Sequence, residues 1–322
     1  MQGCNGTRIL SDQKYNLTFH LGLHKTGTTA LQRDWFPAWH DVNVLSTETA
    51  AAREYDDMVC TRDSVYFDAH EGRRMLEAIL DPSRPNLMSR EAFSGSPYAG
   101  VGKLSLDHRS DILRNLSSSF PEARAILVLR RQDTYAISLY REYLKSGGCL
   151  DIRGFCLGSD GVRPVLSLDR FFYLRYVDFL WRAFPAGVLV LAYERFVAEQ
   201  QEFLKDFGKF VGVAMPQVSN SVWNATTLGP KGLRLARFAS RFVKSQLNPG
   251  GFIPPLRIPY VRGGRSTSLL WLLHDRGLPW GRRSRNKDVF PDIKHEILER
   301  VRKDNRILDL KYGLGLERFG YY

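Results

Sequence analysis

Between Leu17 and Gln32 the chain reads LTFHLGLHKTGTTALQ. Within it, His24, Lys25, Thr26, Gly27, Thr28 and Thr29 are the residues that could do chemistry. A lysine, two glycines and paired threonines in one tight turn are the parts of an anion cradle. The glycines let backbone N–H groups converge on one point, the hydroxyls add donors and the lysine adds charge. Gly22 and Gly27 keep the spacing of a G-x-x-x-x-G-K-[ST] loop, but Thr28 stands where that loop has its lysine. The cation is at Lys25 instead. A charge inside the turn serves an anion whose transferable group sits beside the turn, rather than a triphosphate running along it.

A second set of polar residues follows the clearest apolar run, Ala125 to Leu129 (AILVL), which ends in Arg130-Arg131-Gln132-Asp133. In a mononucleotide-binding sheet, ligands collect at the C-terminal ends of strands. A nucleoside triphosphatase usually places an acid there to hold magnesium. Here two arginines stand in that place, and the guanidinium fork suits a second, non-bridging phosphate. Ser138 and Tyr140 lie about two helical turns further on. A third set closes the segment PNLMSREAF, where Ser89, Arg90 and Glu91 end a short strand, and Tyr193-Glu194 ends a fifth.

The HKTGTT-Leu-Gln stretch resembles the 5′-phosphosulfate loop of sulfotransferases that use 3′-phosphoadenosine 5′-phosphosulfate (PAPS). Arg130, with Ser138 eight positions later and then Tyr140, resembles the 3′-phosphate motif of the same family. The closing helix through Asp304-Asn305 and the tail ending Gly-Tyr resemble the C-terminus of bacterial glycan-type members. The resemblance implies an enzyme of P-loop-like, three-layer α/β fold. It places Lys25, Thr26, Gly27, Thr28, Thr29, Ala30, Ser89, Arg130, Ser138 and Tyr193 around PAPS, with Tyr193 near the adenine. It requires no metal. Lys25, helped by Thr28 and Thr29, would stabilise the charge that grows on the departing oxygen. Glu91 is the first choice for the base that takes the acceptor proton, with His24, His20, Glu48 and Glu54 as competitors. One part departs from the family: the glycine- and lysine-containing segment that finishes the 3′-phosphate site is absent in recognisable form, and Lys231 or Arg234 of LGPKGLR is the expected substitute.

These residues need elements to hold them. The reading is a central parallel sheet of about five strands flanked by helices, in one domain over residues 1–322. Strands are expected at 17–22, 42–45, 86–90, 125–129 and 187–193. Helices are expected at 29–39, 73–80, 107–120, 134–145, 168–184, 195–211, 228–247 and 291–308. The acidic residues after the second strand read as a solvated face, and 147–164, rich in Gly and Asp, as an excursion over the strand ends. Residues 245–290, with their prolines and glycines, read as a lid or acceptor-side insertion.

The formal charge of +12 suits an anionic cofactor, and also an anionic acceptor or a peripheral contact with a membrane. Nucleic acid is disfavoured, for there is no zinc-finger spacing, aromatic RNP-like strand or basic heptad arm. Four cysteines without a CxxC pair read as reduced thiols. The first sixteen residues lack a signal-peptide core, and no window approaches the roughly 18 to 20 apolar residues of a span, so a cytoplasmic enzyme is expected. The expected acceptor is a hydroxyl of a glycan or glycolipid, because the loop form resembles the carbohydrate branch and the segments over the strand ends are polar. A P-loop kinase or ATPase and a non-catalytic nucleotide-binding module are the alternatives.

Overall fold

The computed structural model describes residues 15–45, 49–96, 98, 109–158, 164–166, 168–218, 230–254, 257–259, 266–268 and 289–322. Its centre is an all-parallel five-stranded sheet in the order β2-β3-β1-β4-β5. The strands are β1 (Leu17–Gly22), β2 (Asn43–Leu45), β3 (Asn86–Arg90), β4 (Arg124–Leu129) and β5 (Val188–Ala192). The α/β architecture is the one the sequence implied. β1 occupies the switch point of the sheet, with Phe19 opposite Met88 on one side and Ala125 on the other. That is where a doubly wound sheet opens a crevice at its strand ends.

β1 alternates polar and apolar residues, yet all six are buried. One face of the sheet packs Phe19, fully buried, edge-on against Phe93 with ring centroids 5.9 Å apart. Burial of each such ring stabilises the fold by about 2–3 kcal/mol. On the other face His20 lies against Phe207 at 5.3 Å. Both faces are thus covered, as parallel sheets require, and an inward histidine takes the place of an aliphatic residue.

The helices are α1 (Thr28–Ala30, continued by a π turn Leu31–Trp35 and a 3-10 turn Phe36–Ala38), α2 (Ala50–Thr61), α3 (Ala69–Glu77), α4 (Arg109–Ser119) and α5 (Gln132–Lys145). They are followed by α6 (Ile152–Leu157), α7 (Tyr173–Ala183), α8 (Tyr193–Ala198), α9 (Gln200–Val211), α10 (Pro230–Ser240) and α11 (Pro291–Tyr312). α1, α8 and α9 cover the His20 face, and α2, α3, α4 and α7 the Phe19 face. α5, α6, α10 and α11 form a further apolar cluster around Tyr143 and Phe155.

Several sequence expectations change. The acidic stretch after β2 is not a bare solvated face: α2 exposes Glu54 and Asp57 but buries Tyr55, Met58 and Val59, because those three share a helical side. Residues 147–164 are not wholly an excursion either. Asp151 caps α6 by accepting the Gly154 N–H at 2.8 Å, and Ile152, Phe155 and Cys156, at helical spacing, enter the core. The helix expected over 168–184 breaks at Phe172 into a 3-10 turn and α7. The one expected over 195–211 begins at Tyr193 and breaks at Glu199.

The helix expected over 228–247 stops at Ser240. Within the region expected to form a lid, the described residues make tight turns over 241–254 and a small antiparallel pair, β6 (Arg257–Pro259) with β7 (Ser266–Ser268). The basic run 281–287 lies outside the described residues, as do Glu48 and the side chain of Lys231.

Candidate functional site

The turn after β1 is built around two left-handed residues, Lys25 with φ 66° and Gly27 with φ 84°. Glycine adopts that conformation freely, whereas a lysine there costs about 1 kcal/mol or more and persists only when its surroundings hold it. Two contacts do so. Thr26 donates its hydroxyl to the Leu23 carbonyl at 2.6 Å, and Arg130 donates to the Lys25 carbonyl at 2.5 Å. The second contact ties the first cation of the site to the second. Gly22 is required for another reason: a Cβ there would lie 2.2 Å from Thr28 Oγ1.

Thr28 Oγ1 is buried without a hydrogen-bond partner among the described residues. Ala30 and Leu31 donate to the Gly27 carbonyl, so the N–H groups of Thr28 and Thr29 stand ahead of the helical ladder. A turn with two left-handed residues, free leading N–H groups and an orphan hydroxyl fits a phosphosulfate or phosphate group.

His24 and Lys25 leave this turn in opposite directions. His24 Nδ1 lies 3.2 Å from Glu91 at the end of β3, and its Nε2 is 3.3 Å from the Gly95 carbonyl. Lys25 Nζ is 2.9 Å from Glu142 of α5. The side chains of Glu91 and Glu142 are each about one-third exposed, so both reach solvent rather than being sealed in the core. Glu142 was not anticipated from sequence. Its signal was available, since Thr134, Ser138, Glu142 and Lys145 recur at helical spacing after Arg130.

At the end of β4 the two arginines divide their work. Arg130 donates its Nε to Thr134 at 3.2 Å and lays its guanidinium over the Tyr193 ring, 4.8 Å from the centroid. Arg131 is taken into structure: it is paired with Asp133 at 2.7 Å and donates to the Phe319 carbonyl at 3.1 Å. Tyr193 flanks the loop, because a Cβ at Gly27 would meet its ring at 3.3 Å. Lys25, Arg130, Thr134 and Tyr193 are therefore brought together. Ser138 is half-buried on α5 and makes no side-chain hydrogen bond among the described residues.

Ser89 stands apart from these. It is buried, shares a 2.8 Å hydrogen bond with His20 and receives Gln32 Nε2 at 3.3 Å. Its hydroxyl is occupied behind the loop. His20 is fully buried, which pushes its pKa down to about 3, so the protein holds it neutral and out of reach of an acceptor. Glu54 is exposed on α2.

The C-terminus fixes the start of α5. Gln132 and Asn305 exchange amide hydrogen bonds at 2.7 and 3.1 Å, and Asn305 also donates to the Tyr321 carbonyl at 2.8 Å. Glu194 accepts the Arg131 N–H at 3.0 Å and the Tyr321 hydroxyl at 2.8 Å. Glu194 of α8, Asn305 of α11 and the tail thereby set the height at which Arg130 leaves β4. A cleft of about 750 Å³ opens elsewhere, between α4, α7 and α11, and none of its lining residues belongs to the loop or to α5.

No protein-family model matches the chain, and no curated protein matches it. Among solved structures, the fold is similar to the crystal structure of a sulfotransferase from Alicyclobacillus acidocaldarius. The two share 17% identity with a TM-score of 0.44, over 70% of this chain and 90% of that one.

Proposed function

We propose that the protein is a sulfotransferase that moves the sulfuryl group of PAPS to a hydroxyl of a glycan or glycolipid. The observation that carries the proposal is the link between two anion-binding parts: the Arg130 guanidinium at the end of β4 holds the carbonyl of Lys25 in the left-handed turn after β1. A donor with a phosphate at each end of its ribose calls for two such parts joined rigidly. A kinase or ATPase would instead carry its lysine at position 28, where this loop has Thr28.

PAPS supplies the sulfuryl group when bound. The turn of Lys25, Thr26, Gly27, Thr28, Thr29 and Ala30 would hold its 5′ end, with Arg130 and Ser138 at the 3′-phosphate and Tyr193 beside the base. Lys25 provides an ammonium for the charge that develops on the departing oxygen. Glu91 accepts the proton of the acceptor hydroxyl, and His24, 3.2 Å away, orients its carboxylate. The same residues account for transfer without any protein-held metal.

A lipid-borne acceptor draws support from α10, where Leu235 and Phe238 are 50% and 58% exposed beside the exposed Arg234 and Arg241. Among the described residues no helix is long and apolar enough to cross a membrane.

Calorimetry with adenosine 3′,5′-bisphosphate and with ATP-magnesium tests the donor. Metal-independent binding of the bisphosphate is expected, and tight metal-dependent binding of ATP alone would sink the assignment. A labelled-PAPS transfer assay over glycans, glycolipids, phenols and amines then tests the acceptor. Label on phenols or amines only would remove the carbohydrate reading.

A further inference from the structure

α5 is packed on most of its circumference. Within the helix, partial exposure is kept by Thr134, Ser138, Arg141, Glu142 and Lys145. These positions return to nearly the same azimuth at 3.6 residues per turn, so they form one stripe along the helix. The stripe carries two hydroxyls, two cations and one carboxylate. Glu142 already has two cationic partners, Lys25 at 2.9 Å and Lys145 at 3.9 Å.

Arg141 is left over. Its Nε is buried and has no hydrogen-bond partner among the described residues. The Arg130 guanidinium is close enough to act on it, and burial and that like charge both push its pKa down. Arginine does not shed its proton in a protein. A half-buried cation beside a second cation is an uncompensated cost unless an anion joins them. Arg130 spends its Nε on Thr134 and one terminal nitrogen on the Lys25 carbonyl, and its remaining terminal nitrogen makes no hydrogen bond among the described residues.

We propose that Arg141 binds the phosphate of the donor that is remote from the loop, closing over it from α5 opposite Arg130 with Ser138 between them on the stripe. The proposal rests on the sulfotransferase reading and deepens it. It supplies the cation that the missing glycine- and lysine-containing segment would have brought, and it does so from within α5. Arg234 is less suited to that place, being exposed on α10. A second guanidinium matches the chemistry of a phosphate dianion, which accepts from two planar donors at once.

The test compares two nucleotides on the full chain. In Arg141→Gln, affinity for adenosine 3′,5′-bisphosphate is expected to fall about 30-fold, the loss of a charge-assisted contact. Affinity for adenosine 5′-monophosphate, which lacks the remote phosphate, is expected to change less than about twofold, and Arg141→Lys should recover part of the loss. Equal losses for both nucleotides, or no loss for either, overturn the proposal. A titration of inorganic phosphate, read at the Arg141 Nε–H resonance, separates this from failure of the functional reading. If the wild type does not prefer the bisphosphate but phosphate still moves that resonance, the anion site stands and the sulfotransferase assignment falls. A resonance unmoved by both phosphate and the bisphosphate removes Arg141 as an anion ligand.

Discussion

His24 and Lys25 are consecutive, and each ends on a glutamate, yet the two pairs belong to different elements, one beside β3 and the other on α5. The His24–Glu91 pair closes the end of β3, and the Lys25–Glu142 pair reaches across to α5. The left-handed backbone at Lys25 splits the two directions. On the β3 side a carboxylate is held by an imidazole, an arrangement that suits taking a proton. On the α5 side the carboxylate neutralises a lysine whose carbonyl is held by Arg130, an arrangement that suits exchanging an internal anion for an external one. On the proposed function, one turn would separate the chemistry of the acceptor from that of the donor.

Breaking the α5 side at its cation should have the largest effect. Lys25→Met is expected to lower kcat about 10³-fold, the cost of losing one fixed donor at a developing charge. Affinity for adenosine 3′,5′-bisphosphate should fall less than about tenfold. Single-turnover transfer beside calorimetry checks the split, and parallel losses in both would place Lys25 in binding alone.

Breaking the β3 side should leave the nucleotide untouched. Glu91→Gln is expected to keep bisphosphate affinity within about twofold while kcat falls about 10²-fold, the low end for a general base. Unchanged turnover would take Glu91 out of the mechanism.

The third test sharpens the comparison by removing the acid response of the fold from that of the site. His20 is depressed to about 3 by burial, so the unfolded chain takes up a proton that the native one refuses. Stability is full above the unfolded value of about 6.5 and falls with pH between there and about 3, by about 2 kcal/mol at pH 5. Urea midpoints at pH 7 and pH 5 should show this extra loss in the wild type and in Glu91→Gln, but not in His20→Gln. An equal loss in His20→Gln would assign the acid sensitivity to other groups.

The smallest effect concerns the internal anion. The Lys25–Glu142 pair is half-exposed, 40% and 35%, and is worth under about 1 kcal/mol. Glu142→Gln is therefore expected to tighten bisphosphate binding by about threefold at low salt, less as salt rises. Weaker binding in that variant would show that Glu142 positions Lys25 rather than competing with the donor.

The sheet was readable because its strands are short stretches rich in apolar residues, four of them ended by glycine, arginine or an aromatic–acid pair, and these are local signals. The pairing that sets β1 between β3 and β4 came only with the tertiary structure. Helix ends were less readable. Gln132, at the early start of α5, is held by Asn305, 173 residues away, and the Leu174 N–H just after the break at Phe172 is accepted by Asp304, 130 residues away.

By itself the sequence determined the parts with short-range causes: a glycine turn after a buried strand, a lysine inside it, two arginines after AILVL, and a carboxylate after β3. Only the tertiary structure decided which of them meet. It spends Arg131 on Asp133 while leaving Arg130 over Tyr193, and turns Ser89 inward to His20. It also brings Glu142 across 117 residues to Lys25 and leaves the Arg141 Nε without a hydrogen-bond partner among the described residues. The physical reason is that charge and hydrogen bonding act over a few ångströms in space, and neighbours at that range are set by how strands and helices pack, not by their order in the chain.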